Sequence, residues 1–225
     1  SYRILINRKL VEMLGKTPGI QPGKTPDRPR LPRLPPKMEV IPMAKIEAGT
    51  KLTDFSFDTP FESGVKLSDK VKEAKKTVLL FLRYYGCTLC QLDIREYANA
   101  YEQFKAKDAQ LIVVLQSPAS TINAQMNKGD LPFDIMCDPD MGLYKEFELG
   151  VAASQEAMIR PEDMPKFAEK REKMAQYGLE HGAYEGEEMQ LPGYFILNPE
   201  MEVLECHRAA SILDMPTVDE MIAKL

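Results

Sequence analysis

Beyond about residue 50 the chain alternates between short, densely apolar runs and longer stretches in which apolar residues recur every three or four positions. The runs at 78–84 and 110–115 are rich in Val, Leu, Ile and aromatic side chains, the pattern of strands buried on both faces. Shorter strands are expected at 52–57, 133–137, 194–197 and 203–206, with a turn around 62–64. Over 88–106 the period changes: Leu89, Leu92, Tyr97, Ala100, Tyr101 and Phe104 form one helical stripe, with Asp93, Glu96 and Lys105 off it. Further helices are expected over 118–128, 143–147, 161–177 and 218–225. Pro161 with Glu162 and Asp163 suits the first turn of the third of these. Strands interleaved with helices predict an α/β fold with a β-α-β unit at its centre.

The start of the chain breaks this pattern. Eight of the seventeen prolines fall between Pro18 and Pro42, and PRLPRLPP at 29–36 lacks both amide donors and helix-compatible spacing. Residues 1–45 therefore read as an extended Pro-rich arm, opened by a short helix in which Ile4, Leu5, Leu10, Val11 and Leu14 recur and Gly15 ends the turn. Charge divides the chain at the same place. Residues 1–37 hold nine basic and two acidic side chains, a balance of +7, which leaves −12 of the net −5 for the remainder. The expectation is a basic arm lying across the acidic body of its own or a neighbouring subunit, the second case being a homodimer.

Composition narrows the classes further. A wholly basic nucleic-acid-binding domain is excluded by the net charge, and the longest apolar runs, 78–82 and 111–115, are far short of the roughly 20 residues of a membrane span. The start is interrupted by Asn7, Arg8, Lys9 and Glu12, unlike the apolar core of a signal peptide, so the expected location is the cytoplasm.

The chemistry is carried by cysteine. Two of the four cysteines, Cys87 and Cys90, form a C-x-x-C at the junction between the 78–84 strand and the following helix. At a helix start, free amides and the helix dipole favour a thiolate, which makes Cys87 the nucleophile. Cys90, three positions on, reaches the same sulfur from deeper in the fold and is the resolving thiol. Gly86 permits the tight turn and Arg83 adds positive field. Zinc, the other chemistry of C-x-x-C, needs four ligands, and the chain has no second pair: Cys206 and His207 are adjacent on a strand and point apart. No metal or other cofactor is expected. Cys137 and Cys206 read as small core residues, and His181 as loop.

FLRYYGCTLC at 81–90 resembles the C-x-x-C branch of the peroxiredoxin-like proteins, in the alkyl hydroperoxide reductase and thiol-specific antioxidant (AhpC/TSA) family. AQLIVVLQS at 109–117, FDIMCDPD at 133–140 and QLPGYFILNP at 190–199 extend the likeness, which covers roughly 46–225. It implies a thioredoxin fold, with a central mixed sheet flanked by helices, and a redox-active disulfide between Cys87 and Cys90. It also implies that Pro192 is cis and holds the Leu191 backbone against the sulfur, and that Arg208 approaches the turn. Two positions depart from the pattern: Leu80 stands where the family has a proline and Tyr84 where it has Thr or Ser, leaving Thr88 or Tyr84 to supply a hydroxyl. The forty residues of 151–190 are a helical insertion that the minimal fold does not require, expected to cover the redox site or form an oligomer contact. Met158, Met164, Met174 and Met189 read as its core filling.

The expected function is an antioxidant oxidoreductase serving cell redox homeostasis. Cys87 reduces a small hydroperoxide through a sulfenate, and Cys90 closes the disulfide, which an external thiol reductant such as a thioredoxin reopens. The alternatives are a thioredoxin-like protein disulfide reductase, acting on a partner disulfide, and a non-catalytic binding protein on the same fold.

Overall fold

A computed structural model describes residues 45–225. The arm and its short helix lie outside the described residues.

The described body is a mixed sheet with helices on both faces. Its first elements are β1 (Ser56–Phe57) and β2 (Val65–Lys66), an antiparallel pair, then α1 (Leu67–Lys70), which runs on as a 3-10 turn over Val71–Glu73. There follow β3 (Lys76–Phe81), α2 (Thr88–Asn99), α3 (Tyr101–Ala106), β4 (Ala109–Leu115), α4 (Ala119–Asn123), β5 (Asp134–Cys137) and α5 (Gly142–Glu146). The insertion contributes α6 (Gln155–Met158), a 3-10 turn at Pro161–Asp163 and α7 (Met164–Gln176), and the chain closes with β6 (Gly193–Leu197), β7 (Val203–Arg208) and α8 (Val218–Ala223).

The five-stranded sheet runs β5-β4-β3-β6-β7. β3 pairs in parallel with β4 and antiparallel with β6, so the strand that leads to the C-x-x-C turn is central. That position explains its composition: a strand covered on both faces cannot alternate with polar residues. Val78 and Leu80 face a core closed by α2, α3, α4 and α8, whereas Leu79 and Phe81 face one closed by α1 and α5. Phe81 packs there against Tyr144, Phe147 and Phe195, with ring centroids 5.0–5.8 Å away.

Several expected elements are shorter than their apolar pattern. The 52–57 strand reduces to Ser56–Phe57, although Leu52 and Phe57 are buried. The 88–106 helix breaks at Ala100 (φ −96°, ψ 2°), and beyond the break Tyr101 and Phe104 stack 5.9 Å apart in the core. The 118–128 helix stops at Asn123, because Asp130 caps the Asn127 amide at 2.7 Å and Gly129 adopts φ +94°. The helix of the insertion also differs. Of the stripe through Met164, Phe167, Ala168, Arg171, Met174 and Ala175, only Phe167 and Met174 are half-buried. α7 is instead fastened to α2 by ions: Lys170 pairs with Asp93, and Lys173 with Glu96 at 2.9 Å. The two acids on the polar side of the α2 stripe thus tie α7 to α2. Of the four methionines expected in its core, Met158 is buried and Met164 is 52% exposed. Among the described residues, no helix is long and apolar enough to cross a membrane.

Candidate active site

β3 ends at Phe81, and the chain turns over residues 82–87 into α2. Two contacts fix the start of this turn. The Leu82 amide still donates to Val114 O at 3.1 Å, and the buried Tyr144 hydroxyl sits 2.6 Å from Leu82 O and 2.9 Å from Val114 O, sharing its one proton between them. Cys87 is the N-cap of α2, with extended dihedrals (φ −71°, ψ 122°), and its Sγ accepts the Cys90 amide at 3.4 Å as a Ser or Asp oxygen would. The sulfur therefore lies at the positive end of a helix of twelve residues.

Arg83 completes the pair's surroundings. Its Nη2 donates to Cys87 Sγ at 3.0 Å, while its amide donates to Cys90 Sγ at 3.4 Å. The Cys87 thiol is held well below the ordinary thiol range, first by the hydrogen bond from Cys90 and then, against the effect of burial, by the charge of Arg83. Cys90 is driven the other way, by burial first and then by its bond to Cys87. The arrangement is asymmetric: ionisation is favoured at Cys87 and opposed at Cys90, one helical turn behind it. Both cysteines are free thiols, as are Cys137 and Cys206. Burial pushes Cys137 up to about 12, which leaves it unreactive, and Cys206 packs beside the core.

Cys87 is 0% exposed and Cys90 4%. The strap of residues 178–189, which follows α7 in the insertion, is fastened over their turn. Gly182 N donates to Gly86 O at 2.8 Å, and Gln91 Nε2 joins Gly86 O and Glu180 O at 3.2 and 3.0 Å. Arg83 Nη1 donates to Glu188 O at 2.7 Å, so one guanidinium spans the strap and the sulfur. Further along, Gln116 exchanges two hydrogen bonds with the Glu187 backbone and Ser117 bonds the Glu185 carboxylate. Gly86 is required here for closeness: a Cβ would overlap the Ala183 carbonyl, while its φ is not left-handed.

His181, expected to be a plain loop residue, is a strap contact. Its Nδ1 faces Gly182 O at 2.8 Å, which only accepts, so Nδ1 carries the proton and Nε2 accepts from the Tyr84 hydroxyl at 3.0 Å. Burial raises Tyr84 to about 12, so it remains a neutral phenol. Tyr144, Gln91, Gln116 and Glu188 are further contacts that no local pattern announces.

The remaining expected site residues fall differently. Thr88 is the first residue of α2 and half-buried, with no hydrogen bond from its hydroxyl among the described residues. The Leu191–Pro192 bond is trans, since no peptide bond among the described residues is cis. Nor is Leu191 offered to the sulfur: its amide donates to Gly150 O at 2.9 Å and its carbonyl accepts from Gln190 Nε2 at 3.0 Å. Arg208 is also committed elsewhere. Nε donates to Phe147 O and Nη2 to Ile46 O, both at 2.7 Å, and the guanidinium lies 5.1 Å from the Phe195 ring centroid. It ties β7 to α5 and the start of the body, so the guanidinium at the thiol is that of Arg83. Among the described residues no group of three His, Cys, Asp or Glu side chains is close enough to hold a metal ion.

Comparison with solved structures gives the same architecture. Peroxidoxin BcpB from Mycobacterium tuberculosis aligns with a TM-score of 0.56 at 12% identity, over 79% of this chain and 95% of that one. Enterococcus faecalis AhpC aligns at 0.54 and 13%, over 80% and 90%. A peroxiredoxin 6 of Arenicola marina aligns at 0.54 and 13%, over 79% and 70%. At such identities the likeness is one of fold. No curated protein matches in sequence. A family model described as the AhpC/TSA family matches residues 48–205, from before β1 into β7. A match of that extent takes in the sheet, the thiol turn and the insertion together, and by it the chain belongs to the AhpC/TSA family and is an oxidoreductase of the thiol peroxidase type.

Proposed function

We propose that the protein reduces small hydroperoxides through Cys87, with Cys90 as the resolving thiol. The observation that carries this reading is the 3.0 Å bond from Arg83 Nη2 to Cys87 Sγ at the N-cap of α2. A thiolate so held attacks the outer oxygen of a hydroperoxide, the O–O bond breaks, and the departing alkoxide takes a proton from solvent and leaves as alcohol. Cys87 is then a sulfenic acid. Cys90, protonated until that moment, gives up its proton and attacks Cys87 Sγ, water departs, and the disulfide forms. An external dithiol of the thioredoxin kind returns both sulfurs to thiols.

Enclosure favours this reading over disulfide reduction. A sulfur with no exposed surface beneath a strap is harder for a bulky partner disulfide to reach than for a small hydroperoxide. The same enclosure makes the strap a cover that governs access.

The test is stopped-flow oxidation of the reduced protein by hydrogen peroxide and an alkyl hydroperoxide, with Cys87→Ser and Cys90→Ser beside it. Rapid oxidation abolished by Cys87→Ser, with a sulfenate trapped in Cys90→Ser, is the expected result. Oxidation no faster than that of a free thiol would exclude the peroxidase, and a disulfide-bonded peptide would then be the substrate to assay. If neither reagent turns the cysteines over, the site is non-catalytic.

A further inference from the structure

The closed thiol site suits only one of its two reactants. Thiol–disulfide exchange requires a thiolate of the reductant to attack a sulfur of the Cys87–Cys90 bond, and these residues are 0% and 4% exposed beneath the strap. A dithiol of the thioredoxin kind brings a protein surface with it. Reduction therefore requires the sulfur to be uncovered.

The strap is the segment built to move. None of residues 178–189 is buried, and Tyr184 is 65% exposed. It is held mainly by hydrogen bonds rather than by an apolar core, which places it at the low-stability end of the fold. α2 has no need to unwind: Cys87 and Cys90 already stand on one turn, and the Gln91 amide donates to Cys87 O at 2.9 Å as the helix begins.

Arg83 links the strap to the state of the sulfurs. It is half-buried, and among the described residues its guanidinium bonds Cys87 Sγ at 3.0 Å and Glu188 O at 2.7 Å, neither of them a carboxylate. An ionised Cys87 is thus its counter-charge. In the disulfide both sulfurs are neutral and weak acceptors, and a half-buried cation without a counter-charge gains by turning to water. That turn withdraws Nη1 from Glu188 O. Closing the bond also moves residue 87, because Cys87 Sγ must come from non-bonded contact to bonding distance of Cys90 Sγ. The adjoining Gly86 has no slack against the strap: a Cβ on Gly182 would lie 3.0 Å from Gly86 Cα.

We propose that closing the Cys87–Cys90 disulfide releases the strap through Arg83, and that the opened turn is where the external dithiol reaches Cys87. The proposal rests on the resolving role given to Cys90 above. One thiolate of the reductant bonds Cys87 Sγ, the S–S bond breaks, and Cys90 leaves as a thiolate that takes a proton. The second reductant thiol, losing its proton, displaces Cys87 as a thiolate and closes the reductant's own disulfide. The strap then settles back on Arg83.

Amide hydrogen exchange read by mass spectrometry compares the reduced protein with protein oxidised by diamide, which takes up the two protons and two electrons of the dithiol as a hydrazine. Diamide does not depend on peroxidase activity, and peptide mapping assigns the bond. The strap, including the Gly182 and Glu187 amides that bond Gly86 O and Gln116 Oε1, should exchange at least ~10-fold faster in the disulfide form, the loss of a hydrogen-bonded contact. α2 and α8 should be unchanged. Reduced Arg83→Gln should resemble the oxidised parent, with its two redox states within ~2-fold of each other, since removing the link removes the coupling. Its β3 and α8 amides report whether it is folded, and the parent comparison decides without it. A disulfide with an unchanged strap, faster exchange in α2 in place of the strap, or a folded Arg83→Gln whose strap responds to oxidation as the parent's does would each overturn the proposal and leave the peroxidase intact. Failure of diamide to join Cys87 to Cys90 would overturn it together with the resolving role of Cys90.

Discussion

Arg83 bears two bonds at once, to Cys87 Sγ at 3.0 Å and to Glu188 O at 2.7 Å, and its replacement separates charge from geometry. A thiol held below its ordinary range stays ionised as pH falls, and its alkylation slows only when pH passes through the depressed value. In Arg83→Gln the hydrogen bond to Cys87 survives only in neutral form. A charge-assisted bond is worth about 1.5–3 kcal/mol, so the midpoint of the iodoacetamide rate against pH should rise by about one to two pH units. An unmoved midpoint would mean that the helix end and Cys90 set the ionisation alone. The neighbourhood of Cys87, Cys90 and Arg83 spans eight positions, 83–90, and follows from a strand, a turn and a helix in sequence. Tyr144, His181 and Glu188 reach the same turn from 62, 97 and 105 residues away from their partners. Nothing in their own surroundings marks them, because the signal lies in the contact rather than the segment.

At the scale of elements the strap is the part to perturb. In Gly86→Ala the new methyl overlaps the Ala183 carbonyl, and the strap must lift for the turn to keep its shape. Overpacking of this kind costs about 1–3 kcal/mol, read as a lower urea midpoint. Lifting the strap should also speed Cys87 alkylation, and a variant with unchanged stability and rate would show that the strap does not guard the sulfur. α8 offers a control remote from the thiols. Thr217 and Glu220 form a reciprocal capping box at its start, and Thr217→Ala should cost about 1 kcal/mol with alkylation unaltered. The contrast between these elements explains what sequence periodicity captures. β3, β4 and the stripe of α2 bury continuous apolar faces, so their pattern is their structure. α7 is held by lysines on Asp93 and Glu96, and an apolar period has nothing to say about a helix docked by ions. Leu191, beside the trans Pro192, and the committed Arg208 carry a related lesson: what they touch is decided by Gly150 and Gln190 for the first and by Phe147 and Ile46 for the second, none adjacent to the thiol motif.

The whole body is organised by one sheet with a core on each face, and β3 contributes alternate residues to both. Leu80 is 1% exposed on the side of α2 and α8, and Phe81 is 0% exposed on the side of α1 and α5. If the sheet transmits the loss of either core to the other, the two layers unfold together. Leu80→Ala should then cost about 2–5 kcal/mol and Phe81→Ala about 3–5 kcal/mol. Each should move a single urea transition to a lower midpoint without changing its slope, since the slope follows the surface exposed on unfolding. Followed by circular dichroism and by thiol exposure of Cys87, the transitions of each variant should coincide. Two separated transitions, or a reduced slope in one variant alone, would mean that the helices on one face melt from an intact sheet. In that case Cys87 and Cys90, which belong to the α2 face, would be released by partial unfolding of that layer as well as by movement of the strap.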